Sequence, residues 1–199
     1  MDTRAYPIRN SLFVIVDNSI AFLRSHGVSL GGGLSENDLT RVENRYGFRF
    51  GSDHREFLSK VQPHGEGWYN WRNENDDQLR SALYWPTDGV LFDVENDAFW
   101  PVSWGQRPAT IELRRVIASD QIAKWPKLVP LYGHRYLPAD PAGPSAPVFS
   151  VYQTDVIIYG DDLLDYVQHE FGNQKMSPSR LNARSLEPWT LFAFNLDME

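Results

Sequence analysis

Four short apolar runs follow one another in the second half of the chain, and they constrain the fold most. Leu128 to Leu131, Arg135 to Leu137, Val148 to Gln153 and Val156 to Tyr159 are strand-like. Helical spacing comes before them and returns after them. Leu12, Ile15, Val16, Ile20 and Leu23 mark a first helix over 11–26, with Gly27 as its stop. Ser35 with Asp38 resembles a capping box, and Leu39, Val42 and Tyr46 continue a second helix to Gly47. A third starts near Ser52 or Asp53, carries Phe57, Leu58 and Val61, and stops at Pro63 and Gly65. A last clear helix holds Leu163, Leu164, Val167 and Phe171, with Asp161 or Asp162 as its cap and Gly172 as its end. Helices, then strands, then a helix imply an α+β fold rather than a βαβ repeat. The expectation is one mostly antiparallel sheet of about five or six strands flanked by helices.

Between these regions the local signals mark shorter pieces. Gly31-Gly32-Gly33 reads as a flexible joint, and Gly67 to Trp71 as strand-like. Asp76 to Leu83 reads as a short helix ended by Pro86, and Gly89 to Asp93 as a strand. Residues 94–108 form a loop rich in Trp and Pro, with Pro108 in the first turn of a helix that runs to Trp125. Asp140 to Pro147 reads as an exposed loop, and Trp189 to Leu196 as a segment apolar enough to dock on the body. Phe92, Trp104 and Tyr159 are expected to be buried, because large aromatics beside turns and strand ends carry much of a core.

At 199 residues the chain fits one domain spanning 1–199, with the helix 11–26 and the tail 173–199 as extensions of its body. It is long enough to bury a core without metals or disulfides. It contains no cysteine, which favours a reducing compartment and excludes thiol nucleophiles and cysteine-bound zinc. No signal peptide is legible, and the apolar run Leu12 to Val16 is cut by Asp17. The expectation is a cytoplasmic protein without a membrane span.

Most enzyme signatures are absent. There is no Gly-x-Ser-x-Gly elbow, and the three glycines at 31–33 lack the Gly-Lys-Ser/Thr of a phosphate loop. None of His26, His54, His64, His134 and His169 forms a His-x-x-x-His pair, and His169 is expected on or near an exposed helix face. Asp93-x-Glu95-x-Asp97 is the best carboxylate cluster, and on a strand it would point three carboxylates to one side. Ala98 and Trp104 stand where a calcium loop needs glycine and glutamate. The cluster is thus a weak cation site, a glycosidase-like pair or a solvated strand end. Trp68, Trp71, Trp85, Trp100 and Trp104 either pack in the core or form an exposed interface patch. Core packing is favoured, because tryptophan is costly to expose.

The formal charge of −7 is unevenly spread. Residues 61–108 carry 8 acidic and 3 basic groups, and 139–199 carry 9 and 3, around a basic stretch over 109–138. Such a surface disfavours direct nucleic-acid binding and suits a basic protein partner. The candidate contact residues are Asp93, Glu95 and Asp97 in one block and Asp161, Asp162 and Asp165 in the other. No cofactor and no metal are expected.

Ordered pieces of the chain resemble the SUKH superfamily, which includes fungal cell-wall assembly regulators and many bacterial immunity proteins. They are the helix with Glu43 and the Tyr46-Gly47 stop, Phe57-Leu58, Gly89-x-Leu91-Phe92-Asp93-Val94-Glu95, Phe99-Trp100 with Trp104-Gly105 and Arg107-Pro108, Val129-Pro130-x-Tyr132-Gly133-His134-Arg135-Tyr136-Leu137-Pro138, Pro147-Val148-x-Ser150-Val151 with Asp155, Tyr159-Gly160, and Asp165-Tyr166 running to Glu170-Phe171. The resemblance covers roughly residues 34–172. Many members have a proline before the third helix and Asn-Gly after it, where Gly51-Ser52 and Pro63-His64-Gly65 stand here. It implies an α+β fold and a non-catalytic role in binding a protein, most typically a nuclease-type toxin from a polymorphic or contact-dependent system. It carries no shared catalytic site and no contact residues onto this chain. Two other readings stay open: an intracellular scaffold without a toxin partner, and an enzyme using Asp93, Glu95 or Asp97.

Overall fold

The computed structural model describes residues 6–73, 76–140, 143–172 and 186–194. In chain order these residues form α1 (Tyr6–Ser25), β1 (Ser29–Gly32), α2 (Glu36–Tyr46), α3 (Ser52–Lys60), β2 (Val61–His64), α4 (Asp77–Glu95), α5 (Ile111–Ile122), β3 (Leu128–Tyr132), β4 (Arg135–Pro138), β5 (Val148–Tyr152), β6 (Asp155–Gly160), α6 (Leu163–Gly172) and α7 (Trp189–Ala193). The fold is α+β and its strands are antiparallel. Instead of one sheet of five or six strands there are two: β3-β4-β5-β6 in meander order, and the pair β1-β2.

The four-stranded sheet lies between two apolar clusters, and strand alternation sorts its side chains between them. Val129, Leu131, Leu137 and Val148 join Val16, Ile20 and Leu23 of α1, Leu39 and Val42 of α2, Phe57 and Leu58 of α3, and Leu163 and Val167 of α6. Leu128, Tyr136, Phe149, Val151, Val156 and Ile158 face the other way, toward Val90 and Val94 of α4, Ala118 and Ile122 of α5, and Trp189 of α7. A strand buried on both faces reads as a continuous apolar run, which is why β3, β4 and β5 stand out in the sequence, whereas β6 alternates buried with more open positions.

The ends of α2 are set by local chemistry. Ser35 accepts from the Asp38 N–H while Asp38 accepts from the Ser35 N–H, which completes the capping box. Gly47 closes the helix in the left-handed conformation at φ 64°. Glu43, buried in mid-helix, accepts from the Phe50 N–H at 3.1 Å and from Arg49 at 2.7 Å, so it ties α2 to the segment leading into α3.

The glycines at 31–33 are not a free joint. Gly31 and Gly32 are in β1, paired with Gln62 and Val61 of β2. A Cβ on Gly33 would lie 2.0 Å from the Ser59 carbonyl oxygen, so glycine is needed for close approach rather than for flexibility. Val61, expected in the third helix, turns out of it and opens β2. Gly67 to Trp71 is no strand, and only Trp68 bridges to Tyr132.

The largest departure from expectation is α4. Neither does Pro86 end a helix nor is Gly89 to Asp93 a strand: both lie within one helix from Asp77 to Glu95. Proline leaves the carbonyl four residues earlier without its helical donor. That carbonyl belongs to Ala82, and the buried Tyr136 hydroxyl donates to it at 3.0 Å. The apolar face Leu79, Ala82, Pro86, Val90 and Val94 then runs unbroken at helical spacing. Phe92 points off that face and is 52% exposed, and Trp104 and Tyr159 are only half-buried, so the three are not the core aromatics expected. Replacing Tyr136 by phenylalanine is expected to cost about 1–3 kcal/mol, because a buried carbonyl loses its donor. Adding Pro86→Ala restores a backbone donor and should recover much of that loss in urea unfolding. A double variant no more stable than Tyr136→Phe alone would contradict this account.

The helix expected from Pro108 starts later, at Ile111, with Thr110 as its cap, and ends at Ile122. Ala146 and Pro147 are buried, so the loop Asp140 to Pro147 is not wholly exposed; residues 141–142 lie outside the described residues. Trp189 is buried against the sheet with its indole N–H donating to the Pro126 carbonyl. Residues 173–185 and 195–199 of the tail, and the side chain of Leu12, lie outside the described residues.

Candidate functional site

The six acidic candidates are each held by partners within the chain. Asp93 is buried on α4 and accepts from the Thr154 N–H at 3.0 Å and the Thr154 hydroxyl at 2.6 Å, which fastens the β5–β6 turn to the helix. Glu95 pairs with Arg115 at 3.2 Å. Asp97 has a positive φ of 66° just past the helix and pairs with both Arg107 and Arg114. A helix turns successive carboxylates about 100° apart, so the one-sided array of a strand does not arise. Asp162 caps α6 by accepting from the Asp165 N–H at 2.9 Å, and Asp165 accepts from the Asp161 N–H at 2.8 Å. The two groups belong to helices on opposite faces of the sheet. Among the described residues no three His, Cys, Asp or Glu side chains converge as a metal site.

His169 is not on an exposed face. Its side chain is 4% exposed, and Nε2 lies 3.5 Å from the Asp165 carboxylate. Beside it Arg135 reaches Glu170 at 3.2 Å, donates to the Ser150 hydroxyl at 3.1 Å and lies 3.9 Å over the Tyr159 ring. This buried cluster joins β4, β5, β6 and α6, so its first effect is on packing.

An open cleft of about 550 Å³ lies on the other side of β4. Four separate segments build it: Gly67 to Tyr69, the first half of α4, the β3–β4 turn and the end of β5. Trp68, Tyr69, Trp85, Tyr136, Tyr152 and His134 supply its walls. Trp85 and Tyr152 are 43% and 58% exposed, with ring centroids 6.0 Å apart.

Three of these aromatics have their polar atom already engaged. Tyr69 donates to the Gly133 carbonyl at 2.6 Å, Tyr136 to Ala82, and the Trp85 indole N–H to the Val151 carbonyl at 3.2 Å. Each bond holds a ring in place, and of the three rings the Trp85 indole is the exposed one. Burial raises the pKa of Tyr69 and Tyr136, so both stay neutral donors. Burial, helped by the Arg135 charge, lowers the pKa of His134, so the imidazole is neutral at neutral pH. Ser81 and His134 both line the cleft, and no hydrogen bond joins them among the described residues. No carboxylate lines it. The arrangement offers ring faces for contact rather than a proton-transfer pair.

Of the five tryptophans singled out in the sequence, Trp71 is buried, Trp68, Trp100 and Trp104 are half-buried, and Trp85 is exposed. Tyr152, His134 and Tyr136 escaped notice as site residues, because nothing local marks residues that meet only after folding. No family model, no curated protein and no solved structure matches the chain.

Proposed function

We propose that the chain is a non-catalytic protein-binding domain, and that it acts as an immunity protein that neutralises a toxin, as its resemblance to the SUKH superfamily implies. The observation that carries the binding role is the aromatic cleft, which presents the exposed Trp85, held by its bond to Val151, beside the exposed Tyr152. Interfaces draw much of their energy from a few tryptophan and tyrosine side chains in such pockets. Rings whose polar atoms are already bonded lose little freedom on binding, which favours affinity. The proposed setting is the cytoplasm, which the cysteine-free sequence suits. No described helix is long and apolar enough to cross a membrane.

The test is a calorimetric titration of the chain with the toxin domain encoded by the adjacent gene. Trp85→Ala is expected to weaken binding by roughly 30-fold, the effect of losing about 2 kcal/mol at an interface hot spot. Circular dichroism of the variant checks that it is folded. Unchanged affinity in a folded Trp85→Ala protein would remove the cleft from the interface, and no binding by the wild-type chain would remove the toxin.

A further inference from the structure

We infer that the cleft is an arginine acceptor: it holds a guanidinium group, presented by the protein partner, against the exposed rings of Trp85 and Tyr152. The inference rests on the reading of the cleft as the docking surface and names the chemistry of its occupant.

Ring geometry is the first support. The two rings lie 6.0 Å apart and tilted at 59°, and both keep exposed surface on which a flat group can stack. A guanidinium is planar, weakly hydrated and stacks on aromatic faces, whereas an ammonium is compact and strongly hydrated. The Trp85 N–H is committed to Val151, so the indole offers its π face.

Charge around the rings is the second. Ser81, Trp85 and Asp88 are spaced four and three residues apart on α4, so Asp88 stands on the cleft side one turn beyond Trp85. Asp155 is the cross-strand partner of Tyr152 in the β5–β6 hairpin, which puts both side chains on one face about 5 Å apart at Cβ. Asp88, Asp155 and Glu66, the chain neighbour of the lining Gly67, are exposed, and none has an ion-pair partner among the described residues. They differ in this from Asp93, Glu95 and Asp97, whose charges are already spent on the chain itself.

Nothing basic opposes them from the walls. Arg135 projects from the opposite face of β4 to Tyr136 and is held by Glu170. Arg80 sits 3.8 Å from Asp77. His134 is the one titratable wall group besides the tyrosines, and its pKa is held low. The net charge of −7 attracts a basic partner from a distance, and the cleft supplies a specific place for one of its arginines.

The experiment follows the Trp85 indole and Tyr152 resonances of the intact chain by NMR during titration with two short glycine-flanked peptides. One carries arginine and the other citrulline, which is planar and similar in shape but uncharged. The arginine peptide is expected to shift the Trp85 and Tyr152 resonances at about tenfold lower concentration than the citrulline peptide. The combined Asp88→Asn and Asp155→Asn substitutions, both at exposed positions, are expected to weaken it several-fold. Trp85→Ala is expected to abolish saturable binding. Equal responses to both peptides, shifts confined to residues outside the cleft, or no response to arginine would overturn the inference. The toxin titration with Trp85→Ala judges the docking reading separately, so cleft-dependent toxin binding together with citrulline binding as well as arginine leaves that reading standing and removes only the cation.

Discussion

Replacing Trp71 by alanine is expected to lower the unfolding free energy by about 3–5 kcal/mol, the range for emptying a large aromatic site in a core. Trp71 is 1% exposed and has edge contacts with Phe48, Phe50 and His54 at centroid distances of 6.5, 5.0 and 5.7 Å. It closes the core between the segment entering α3 and the connection leading to α4. Those partners lie in one stretch, Phe48 to His54, which the Glu43 carboxylate ties to α2, so collapse onto the cavity is limited. Urea unfolding measures the loss. A loss below about 1 kcal/mol would mean that the site refills and that Trp71 is not a core anchor. The same substitution at Trp85, which is 43% exposed, removes surface that is still partly in water, so stability separates the core tryptophan from the cleft tryptophan.

Acid should destabilise the fold through His54. The ring is 1% exposed among Phe50 and Trp71, and neither nitrogen has a hydrogen-bond partner. Desolvation of the charged form lowers its pKa from 6.5 to about 3. In the unfolded chain the imidazole takes a proton below about 6.5, and in the folded chain it stays neutral until about 3. Unfolding therefore takes up a proton throughout this window, and stability falls as pH falls through it. Between pH 7 and pH 5 the loss from this one group is about 2 kcal/mol. Asp53, next to it and also buried, works in the opposite sense. Desolvation raises its pKa above 3.8, so the folded state takes up a proton before the unfolded state does and gains stability as acid is added. The His54 contribution is isolated by comparison with His54→Gln, which cannot titrate. Wild type should lose about 2 kcal/mol more than the variant between pH 7 and pH 5, by urea unfolding at each pH. Equal losses would show that His54 is not held neutral by burial.

Local chemistry made much of the fold legible. The capping box at Ser35 and Asp38, the left-handed Gly47 and the cap at Asp162 are decided within a few residues, so they are readable before any tertiary contact is known. The four strands β3 to β6 were legible for a different reason. β3, β4 and β5 are buried on both faces and carry apolar residues almost continuously, β6 alternates, and turn residues bound all four.

Sequence by itself thus determined the α+β class, the four strands β3 to β6, most helix boundaries before residue 60 and the acidic balance, because each follows from short-range geometry or from composition. Tertiary structure decided the rest. Pro86 is a helix breaker on local grounds, and only the Tyr136 hydroxyl, fifty residues away in β4, satisfies the Ala82 carbonyl that the proline leaves open. Once α4 continues, Asp93, Glu95 and Asp97 no longer share a side, and Phe92 turns to solvent. Gly33 looks like a hinge until the Ser59 carbonyl is seen against it. The cleft is the clearest case: its residues lie in four segments between Gly67 and Tyr152, and no spacing rule links them. Their juxtaposition is a long-range property of packing, so it exists only once α4 and the β5–β6 hairpin are docked on each other.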